Sequence, residues 1–496
     1  MNLTSSSLLM TRAYIDGRWS AAGDGATFPV RDPASGLEIA QVADCGPEEA
    51  EQAVTAAAAA LPAWKALPAG HRAAILKQWH AALLANRGAL AALISAEEGK
   101  PLAESDAEVM YAAAYLEWFA EEARRGYGDF IPAPVADRKL LAIKEPVGVV
   151  AILTPWNFPL AMVARKMAPA LAAGCTVVAK PASDTPLSAL ALAQLAEQAG
   201  VPRGVVNVVP TSRSAKVVNA WYDNQTVRKV SFTGSTEVGK QVMRRCADTM
   251  KRVSLELGGN APLIIFDDAD IDAAVQGALL AKFRNTGQTC VCANRILVQS
   301  SVYDAFARKF TEAAMGLKVG PASTGAVDQG PLIDARAVDK VQAHVADALA
   351  RGAHLMLGGK PHELGGNFFE PTVLTEASSE MLVAREETFG PLAALFRFES
   401  EDEAIALANA TPYGLAAYFY TRDIRRVWRV AGAIEAGMIG INETSISTEV
   451  APFGGIKESG QGREGSRHGL DDYLEIKYLC MGGLASRAES SAGGHA

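Results

Sequence analysis

The sequence predicts an α/β fold with more than one domain, and three observations support that prediction. Its 496 residues exceed what a single hydrophobic core usually organises, so two or more domains are expected. Patterns typical of helices and strands alternate along most of the chain, which indicates an α/β architecture. Apolar residues make up 49% of the sequence, which is enough to bury a sizeable core.

The first predicted elements are helices and a buried strand. Residues 48–64 and 71–98 predict helices, and the β-branched run VGVVAIL from Val147 predicts a buried strand. The alternation then continues with a helix over 162–173, a strand over 175–180, a helix that ends at Gly200, strands from Val205 and Lys229, and the helical TEVGKQVMRRCA. This β-α-β-α-β order predicts an open parallel sheet of the kind that binds nucleotides.

A second alternating region runs from residue 261 to about residue 440 and predicts a second domain. The last stretch, SRAESSAGGHA, is small and polar, and we expect residues 486–496 to be disordered.

Charge and composition exclude several classes of protein. A net charge of -8 disfavours nucleic-acid binding, which needs a basic face. The N-terminus lacks the basic and apolar regions of a signal peptide, and the most apolar stretch, from Val147, is interrupted by Pro155, Asn157 and Pro159. The six cysteines are too scattered for a disulfide framework. We therefore expect a cytoplasmic protein with no membrane or nucleic-acid partner.

The turn FTGSTEVG, residues 232–239, is the candidate phosphate-binding segment. A GxGxxG fingerprint follows none of the predicted strands, but Gly234 permits a tight turn here. The amides of Ser235 and Thr236 would then face a phosphate at a helix N-terminus. Any strand-to-helix turn also favours Gly and Ser, so both interpretations stay open.

The segment GQTCVCANR, residues 287–295, raises three interpretations of its two thiols. A metal site is disfavoured because the seven histidines form no ligand cluster. A permanent disulfide is disfavoured because residues two apart on an extended strand lie near the largest tolerated Cα separation. A nucleophile remains, since a thiolate attacks carbonyl carbon well, although a lone cysteine is more often a small buried hydrophobe.

A nucleophilic thiol needs a base and an oxyanion site. Glu256 in SLELGGNAP stands before a Gly pair and is a candidate general base; otherwise it ends a strand at the surface. Asn157 in TPWNFP lies in a loop made rigid by two prolines, where its amide could donate to an oxyanion; otherwise it is a turn residue.

Seven motifs follow one another along the chain: TPWNFP, KPAS, FTGSTEVG, LELGGNAP, GQTCVCANR, EETFGPL and PFGGIKESGQGREG. Together they resemble the aldehyde dehydrogenase superfamily, and the resemblance runs from Tyr14 to Tyr478, closest to the succinate-semialdehyde dehydrogenase branch. The resemblance implies a Rossmann-like cofactor domain without GxGxxG (residues 1–127 and 147–257), a second α/β catalytic domain (258–457) and a small oligomerisation arm (128–146 and 458–485). It also implies a homodimer or homotetramer paired through that arm.

The same resemblance implies a role for each motif residue. Cys290 would be the nucleophile, Glu256 the general base, and Asn157 the oxyanion donor. The residues implied to bind NADP or NAD are Thr154, Pro155, Trp156, Lys180, Ser183, Gly234, Ser235, Leu257, Glu387 and Phe389. The implied reaction passes through a thioester on Cys290, and retention of Glu256 favours its hydrolysis over transfer of the acyl group to coenzyme A. A non-catalytic scaffold protein is the other alternative, and it would be expected to lack the nucleophile or the base.

Three further residues suggest the substrate. In the succinate-semialdehyde branch, residues at the positions of Arg165, Arg284 and Ser447 hold the distal carboxylate, and an arginine fork suits that role. Solvated arginines are the alternative. The stretch NETSISTE, residues 442–449, is less typical of the branch, so glutarate semialdehyde, a sulfonate-bearing aldehyde or general aldehyde oxidation stay open.

Two residues bear on cofactor choice and regulation. NAD-preferring relatives often carry Glu where this chain has Ser183, and a carboxylate there would repel a 2′-phosphate, so the sequence favours NADP, with dual use open. Cys292 is a hypothetical redox partner of Cys290, because a reactive thiolate beside a second thiol is set up for exchange. A spectator thiol on the same strand is the alternative.

Overall fold

The structure is a computed structural model, and it describes residues 7–484. The tail expected to be disordered, residues 486–496, lies outside the described residues, as do residues 1–6 of the N-terminal segment. No helix in the described part of the chain is long and apolar enough to cross a membrane.

The α-helices have the following bounds: α1 Pro47–Ala66, α2 Ala69–Ala85, α3 Arg87–Glu98, α4 Leu102–Glu122, α5 Ala161–Ala173, α6 Leu187–Gln198, α7 Ser214–Asp223, α8 Thr236–Ala247, α9 Ile271–Phe283, α10 Ser300–Met315, α11 Ala335–Ala350, α12 Leu382–Arg385, α13 Glu401–Asn409, α14 Ile424–Ala433 and α15 His468–Asp471.

The strands have the following bounds: β1 Ala13–Ile15, β2 Arg18–Ser20, β3 Thr27–Arg31, β4 Glu38–Ala43, β5 Asp129–Ile131, β6 Lys139–Pro146, β7 Val149–Leu153, β8 Thr176–Lys180, β9 Val206–Val208, β10 Val227–Thr233, β11 Arg252–Glu256, β12 Ala261–Ile265, β13 Ala293–Gln299, β14 His354–Leu357, β15 Thr372–Thr375, β16 Leu392–Phe398, β17 Tyr413–Gly414, β18 Ala416–Tyr420, β19 Met438–Ile441, β20 Ile456–Lys457, β21 Gly460–Gln461 and β22 Leu474–Met481.

The first large sheet has the order β2-β1-β9-β8-β7-β10-β11-β21. Its strands from β9 to β11 run parallel, while β1, β2 and β21 join antiparallel at the edges. The central strand β7 is buried along its whole length, as its unbroken apolar sequence predicts. The predicted α/β fold with a parallel, Rossmann-like sheet is confirmed.

The helical range predicted over 71–98 consists of two helices. Asn86 separates α2 from α3 with φ -108° and ψ 14°, and its side-chain amide donates to the carbonyl of Ala82 at 2.8 Å. A side chain that hydrogen-bonds the backbone locally competes with helix continuation. The sequence on both sides of Asn86 is rich in alanine and typical of helices, so the pattern did not reveal where one helix ends and the next begins.

The second large sheet has the order β14-β15-β16-β13-β12-β18-β19 and is parallel except for β14. Its strand β13 begins three residues after Cys290. In the first sheet, the carboxyl ends of β10 and β11 lie side by side, with Thr233 opposite Glu256. Carboxyl ends of parallel strands form the crevice where α/β proteins bind ligands.

A three-stranded antiparallel sheet, β22-β6-β5, forms separately. The sequence assigned all of residues 458–485 to this arm, but within the described residues only Leu474–Met481 enters it. The preceding Gly460–Gln461 pairs with the end of β11 in the first sheet instead. Local sequence periodicity does not reveal a strand pairing between segments this far apart. The division of the chain into domains stays a prediction.

Candidate active site

Cys290 lies in a turn rather than on the extended strand that the sequence suggested. The preceding residues Asn285, Thr286 and Gly287 all have positive φ, of 51°, 58° and 75°, and the turn closes with the amide of Cys292 donating to the carbonyl of Thr289 at 3.1 Å. Positive φ is costly for non-glycine residues and marks a conformation that the surroundings impose. The turn presents the partly buried thiol to open space.

Two cavities meet at this thiol. One, of about 590 Å³, is lined by Asn157, Glu256 and Cys290 together with the turn after β10. The other, of about 300 Å³, is lined by Cys290, Arg165 and Arg284. Met162 also borders both. One sulfur atom is therefore accessible from two sides, as a nucleophile between a cofactor and a substrate requires.

Glu256 ends β11 and is 2% exposed. Neither of its carboxylate oxygens has a hydrogen-bond partner within residues 7–484. Burial, and next the charge of Glu464, hold its pKa well above the usual range, while Arg165 and Lys166 oppose the shift. A buried carboxylate with a raised pKa and free oxygens is a stronger base than an exposed glutamate.

Asn157 is buried in the loop after β7 and lines the larger cavity. Its side-chain nitrogen donates to the carbonyl of Gln288 at 2.9 Å, two residues before Cys290. An amide carries two N–H groups, so the second is available to a ligand. Burial raises the pKa of the neighbouring Cys290 thiol to about 12, with Arg165 opposing the shift.

Most of the predicted cofactor residues line the larger cavity: Pro155, Trp156, Gly234, Ser235, Leu257, Glu387 and Phe389. Phe389, at φ 56°, meets Trp156 edge to face with centroids 5.6 Å apart. Glu387 accepts from the Gly259 amide at 3.2 Å, and burial raises its pKa to about 7. An added Cβ at Gly258 would lie 2.9 Å from that carboxylate, so glycine keeps this wall open.

The turn after β10 suits a phosphate. Ser235 caps α8 by accepting from the Val238 amide, so a helix N-terminus faces the cavity, where it favours anions. The buried Thr233 hydroxyl in the cavity wall has no hydrogen-bond partner among the described residues. These groups fit a dinucleotide.

Three predicted cofactor residues, Thr154, Lys180 and Ser183, lie outside the lining of this cavity. Lys180 ends β8, where burial lowers its pKa to about 8, and its carbonyl accepts from the Thr154 amide at 3.4 Å. Its ammonium donates to the carbonyl of Pro181 at 2.9 Å and to the hydroxyl of Ser214 at 3.2 Å. Ser214, the first residue of α7, is a neighbour of this lysine that the sequence did not identify.

The smaller cavity contains all three predicted substrate residues, Arg165, Arg284 and Ser447. Arg165 is 1% exposed, forms an ion pair with Glu464 and lies over the ring of Phe453 at 4.3 Å. Its Nη2 has no hydrogen-bond partner among the described residues. Arg284 is partly exposed, with its guanidinium 5.5 Å from the Phe158 centroid.

Sequence reasoning missed two groups of site residues. Glu464 and Lys166 form a buried ion pair behind Glu256, although both lie inside or beside motifs that were identified. The N-terminal part of α11 borders the larger cavity with Asp334, Arg336 and Lys340. A helix seen only as amphipathic gives no sign of which end approaches a ligand.

Cys292 borders neither cavity. It is buried, and its sulfur donates to the carbonyl of Lys282 at 3.5 Å. The suggested strand shared by the two thiols is absent, because both precede β13. A reversible disulfide between Cys292 and Cys290 stays a prediction. In the described part of the chain no group of three or more His, Cys, Asp or Glu side chains is placed to hold a metal ion.

Comparison with known proteins agrees with this geometry. The profile of the Aldehyde dehydrogenase family matches residues 19–479. The 3-sulfolactaldehyde dehydrogenase of Pseudomonas putida is 57% identical over 484 residues, covering 98% of this chain and 99% of that protein. The succinate-semialdehyde dehydrogenase (NADP(+)) GabD of Escherichia coli is 57% identical over 482 residues, covering 97% and 100%. The crystal structure of succinate-semialdehyde dehydrogenase from Burkholderia pseudomallei superposes with a TM-score of 0.96 at 56% identity, covering 97% of this chain and 100% of that one.

Proposed function

The chain belongs to the aldehyde dehydrogenase family, and we propose that it oxidises succinate semialdehyde to succinate, with NADP as the preferred cofactor. One observation carries the proposal. The Cys290 thiol separates a cavity with dinucleotide-binding features from a cavity lined by two arginines. An aldehyde with a distal anion then reaches the sulfur from one side while a nicotinamide approaches from the other.

Cys290 begins the reaction by adding its sulfur to the aldehyde carbon. Because its pKa is raised to about 12, the thiol needs a base, and the free carboxylate of Glu256 accepts its proton. The carbonyl oxygen becomes an oxyanion, which accepts from the second N–H of Asn157 and from the backbone amide of Cys290. A donor of this kind typically lowers the barrier by about 2.7–4 kcal/mol.

The residues that line the larger cavity would hold the oxidised nicotinamide cofactor, which would supply the hydride acceptor. Loss of hydride from the tetrahedral carbon leaves an acyl thioester on Cys290. Once it has given the thiol proton to solvent, Glu256 takes a proton from water, and the hydroxide attacks the thioester carbon, which expels the Cys290 thiolate and releases the acid. The two unpaired oxygens of Glu256 at the cavity wall suit this second role. Coenzyme A is not required, because the chain supplies the base that hydrolysis needs.

The substrate's distal anion is assigned to the smaller cavity. Arg165 contributes a buried Nη2 without a partner, and Arg284 contributes a second guanidinium in the same wall. A carboxylate accepts several charge-assisted hydrogen bonds, which are about twice as strong as neutral ones. A sulfonate would satisfy the same donors, so 3-sulfolactaldehyde, the substrate in the name of a 57% identical relative, is the second candidate.

The preference for NADP rests on the surroundings of Lys180. Within residues 7–484 no carboxylate forms an ion pair or hydrogen bond with its ammonium, which donates only to a carbonyl and the Ser214 hydroxyl. Ser183 follows in the next loop without the charge that a glutamate would bring. The charge of Asp184 acts on this ammonium without a direct contact, and a 2′-phosphate would supply an anion in direct contact. The GabD relative carries NADP(+) in its name.

We also propose a homodimer or homotetramer formed through the three-stranded sheet. Its strands expose apolar side chains, with Phe130 at 66%, Ile476 at 74% and Tyr478 at 60% exposure. An unpaired apolar sheet face in solution favours association. Light scattering of the purified protein tests this, and a monomer would contradict it.

The test of the substrate is a kcat/KM panel of aldehydes that differ in length and terminal anion, measured with each cofactor and with and without coenzyme A. We expect succinate semialdehyde with NADP to give the highest value and coenzyme A to have no effect. A higher value for 3-sulfolactaldehyde would transfer the assignment to the sulfonate. If unsubstituted aliphatic aldehydes exceed every anionic one, the roles of Arg165 and Arg284 are wrong.

A further inference from the structure

Lys100 is a buried charge that the proposed mechanism does not use. It follows α3 and Gly99, which has φ 96°, and it is 1% exposed. Its ammonium donates to Glu108 Oε2 at 2.7 Å and to the backbone carbonyl of Asn157 at 2.6 Å, and it lies 3.8 Å from the Phe158 ring centroid. It borders neither cavity, so any effect on catalysis passes through its neighbours.

The carbonyl that Lys100 holds belongs to the oxyanion donor. The same oxygen accepts a second hydrogen bond, at 3.0 Å, from the side chain of Asn285, which lies next to Arg284 in the loop before the nucleophile. Both lone pairs of this carbonyl are thereby engaged. These two hydrogen bonds hold the peptide plane of Asn157 from two directions. They thereby also fix the backbone position from which the Asn157 side chain extends.

Glu108 extends the contact to the helix that carries Arg165. Its second oxygen accepts from the amides of Leu160 and Ala161 at 2.9 and 3.1 Å, at the start of α5. The Lys100–Glu108 pair therefore joins the oxyanion loop, the first turn of α5 and, through Asn285, the nucleophile loop. Three segments that carry site residues share one buried ion pair.

An ion pair this deeply buried contributes little to stability by itself, since desolvation offsets its attraction. The ion pair can instead fix the positions of the groups around it. Such positioning matters for an oxyanion donor, which has to lie about 2.7–3.1 Å from the developing charge. We propose that Lys100 is a positioning residue that sets the Asn157 amide for the oxyanion on Cys290. This inference rests on the proposed function only through the roles of Asn157 and Cys290.

The experiment is a double-mutant cycle between Lys100→Met and Asn157→Ala. Asn157→Ala removes the amide but keeps the carbonyl that Lys100 holds, and it should lower kcat by about 10²–10³-fold. We expect Lys100→Met alone to lower kcat by at least about tenfold, and to change it by less than about threefold in the Asn157→Ala background, as residues that act as a unit do. Losses that multiply would overturn the proposal.

Two variants separate positioning from stability. Lys251→Met removes another buried ammonium, which donates to the carbonyls of Asn224 and Val227 at 2.7 and 2.9 Å and borders neither cavity; we expect a lower Tm with kcat preserved. Lys100→Met/Glu108→Gln removes the nearer of the two carboxylates that the single change leaves unpaired, the other being Glu98 at 3.9 Å, so Tm should recover in part while kcat stays low. Recovery of kcat together with Tm would show that Lys100 is only structural.

A cofactor-free readout keeps this test distinct from that of the substrate. Acylation of Cys290 by nitrophenyl acetate needs the nucleophile and the oxyanion donor but neither NADP nor a distal anion. We expect Lys100→Met to slow it as Asn157→Ala does. If the parent cleaves this ester but oxidises no semialdehyde, the substrate assignment fails and the cycle still decides the role of Lys100; unchanged ester cleavage in Lys100→Met contradicts that role.

Discussion

Replacing Arg284 by methionine should weaken discrimination in favour of anionic aldehydes, with Arg165 still in place. The side chain borders the smaller cavity and is partly exposed, with the Phe158 ring 5.5 Å from its guanidinium. A hydrogen bond to a charged group contributes about 1.5–3 kcal/mol, and each 1.36 kcal/mol is a factor of about ten. We therefore expect kcat/KM for succinate semialdehyde to fall about 10- to 150-fold.

The assay is initial-rate formation of reduced cofactor with succinate semialdehyde and with butanal, which has the same chain length without the anion. Because the contact is distant from the reacting carbon, the loss should appear mainly in KM. Arg425→Met, a change on the exposed surface of α14, is the matched control and should alter neither substrate. Equal losses for both aldehydes in Arg284→Met, or no loss for the semialdehyde, would refute the assignment.

Three further predictions concern the base, its pKa and the cofactor. Glu256→Gln should stop thioester hydrolysis, so that stopped-flow traces at alkaline pH show one burst of reduced cofactor per subunit and no steady turnover; turnover at the parental rate would contradict the role of this carboxyl. The charge of Glu464 raises the pKa of Glu256, so Glu464→Gln should lower that pKa and move the acid limb of the kcat–pH profile to lower pH, whereas an upward shift would be inconsistent with the coupling. Ser183→Glu should reduce kcat/KM for NADP relative to NAD by roughly tenfold or more, because like charges placed together cost several kcal/mol; an unchanged ratio would place the 2′-phosphate elsewhere.

Local sequence was sufficient for the elements that form the sheet. The buried strand β7 and the helix α8 with its Ser235 cap follow from apolar runs and capping chemistry that act within a few residues. The predicted nucleophile, base and oxyanion donor border one cavity. Their convergence was not visible in the residues alone and was expected only from the order of the motifs.

Long-range contacts account for what the sequence did not predict. The pairing of Gly460–Gln461 with β11 and the ion pair of Glu464 with Lys166 join residues some two to three hundred positions apart. The loop before Cys290 has positive φ at Asn285 and Thr286. Asparagine tolerates this conformation, but the β-branched Thr286 disfavours it, so local pattern suggested a strand instead. Tertiary surroundings override local propensity at such points.

The most direct test of the central claim is the mass of the acyl enzyme. Glu256→Gln protein mixed at alkaline pH, where the thiol ionises without its base, with NADP and succinate semialdehyde, then quenched and digested, should carry one succinyl group on the peptide that contains Cys290. Glu256→Gln/Cys290→Ala treated identically should carry none. A succinyl group on another residue, or parental formation of reduced cofactor by Cys290→Ala alone, would contradict covalent catalysis by this thiol.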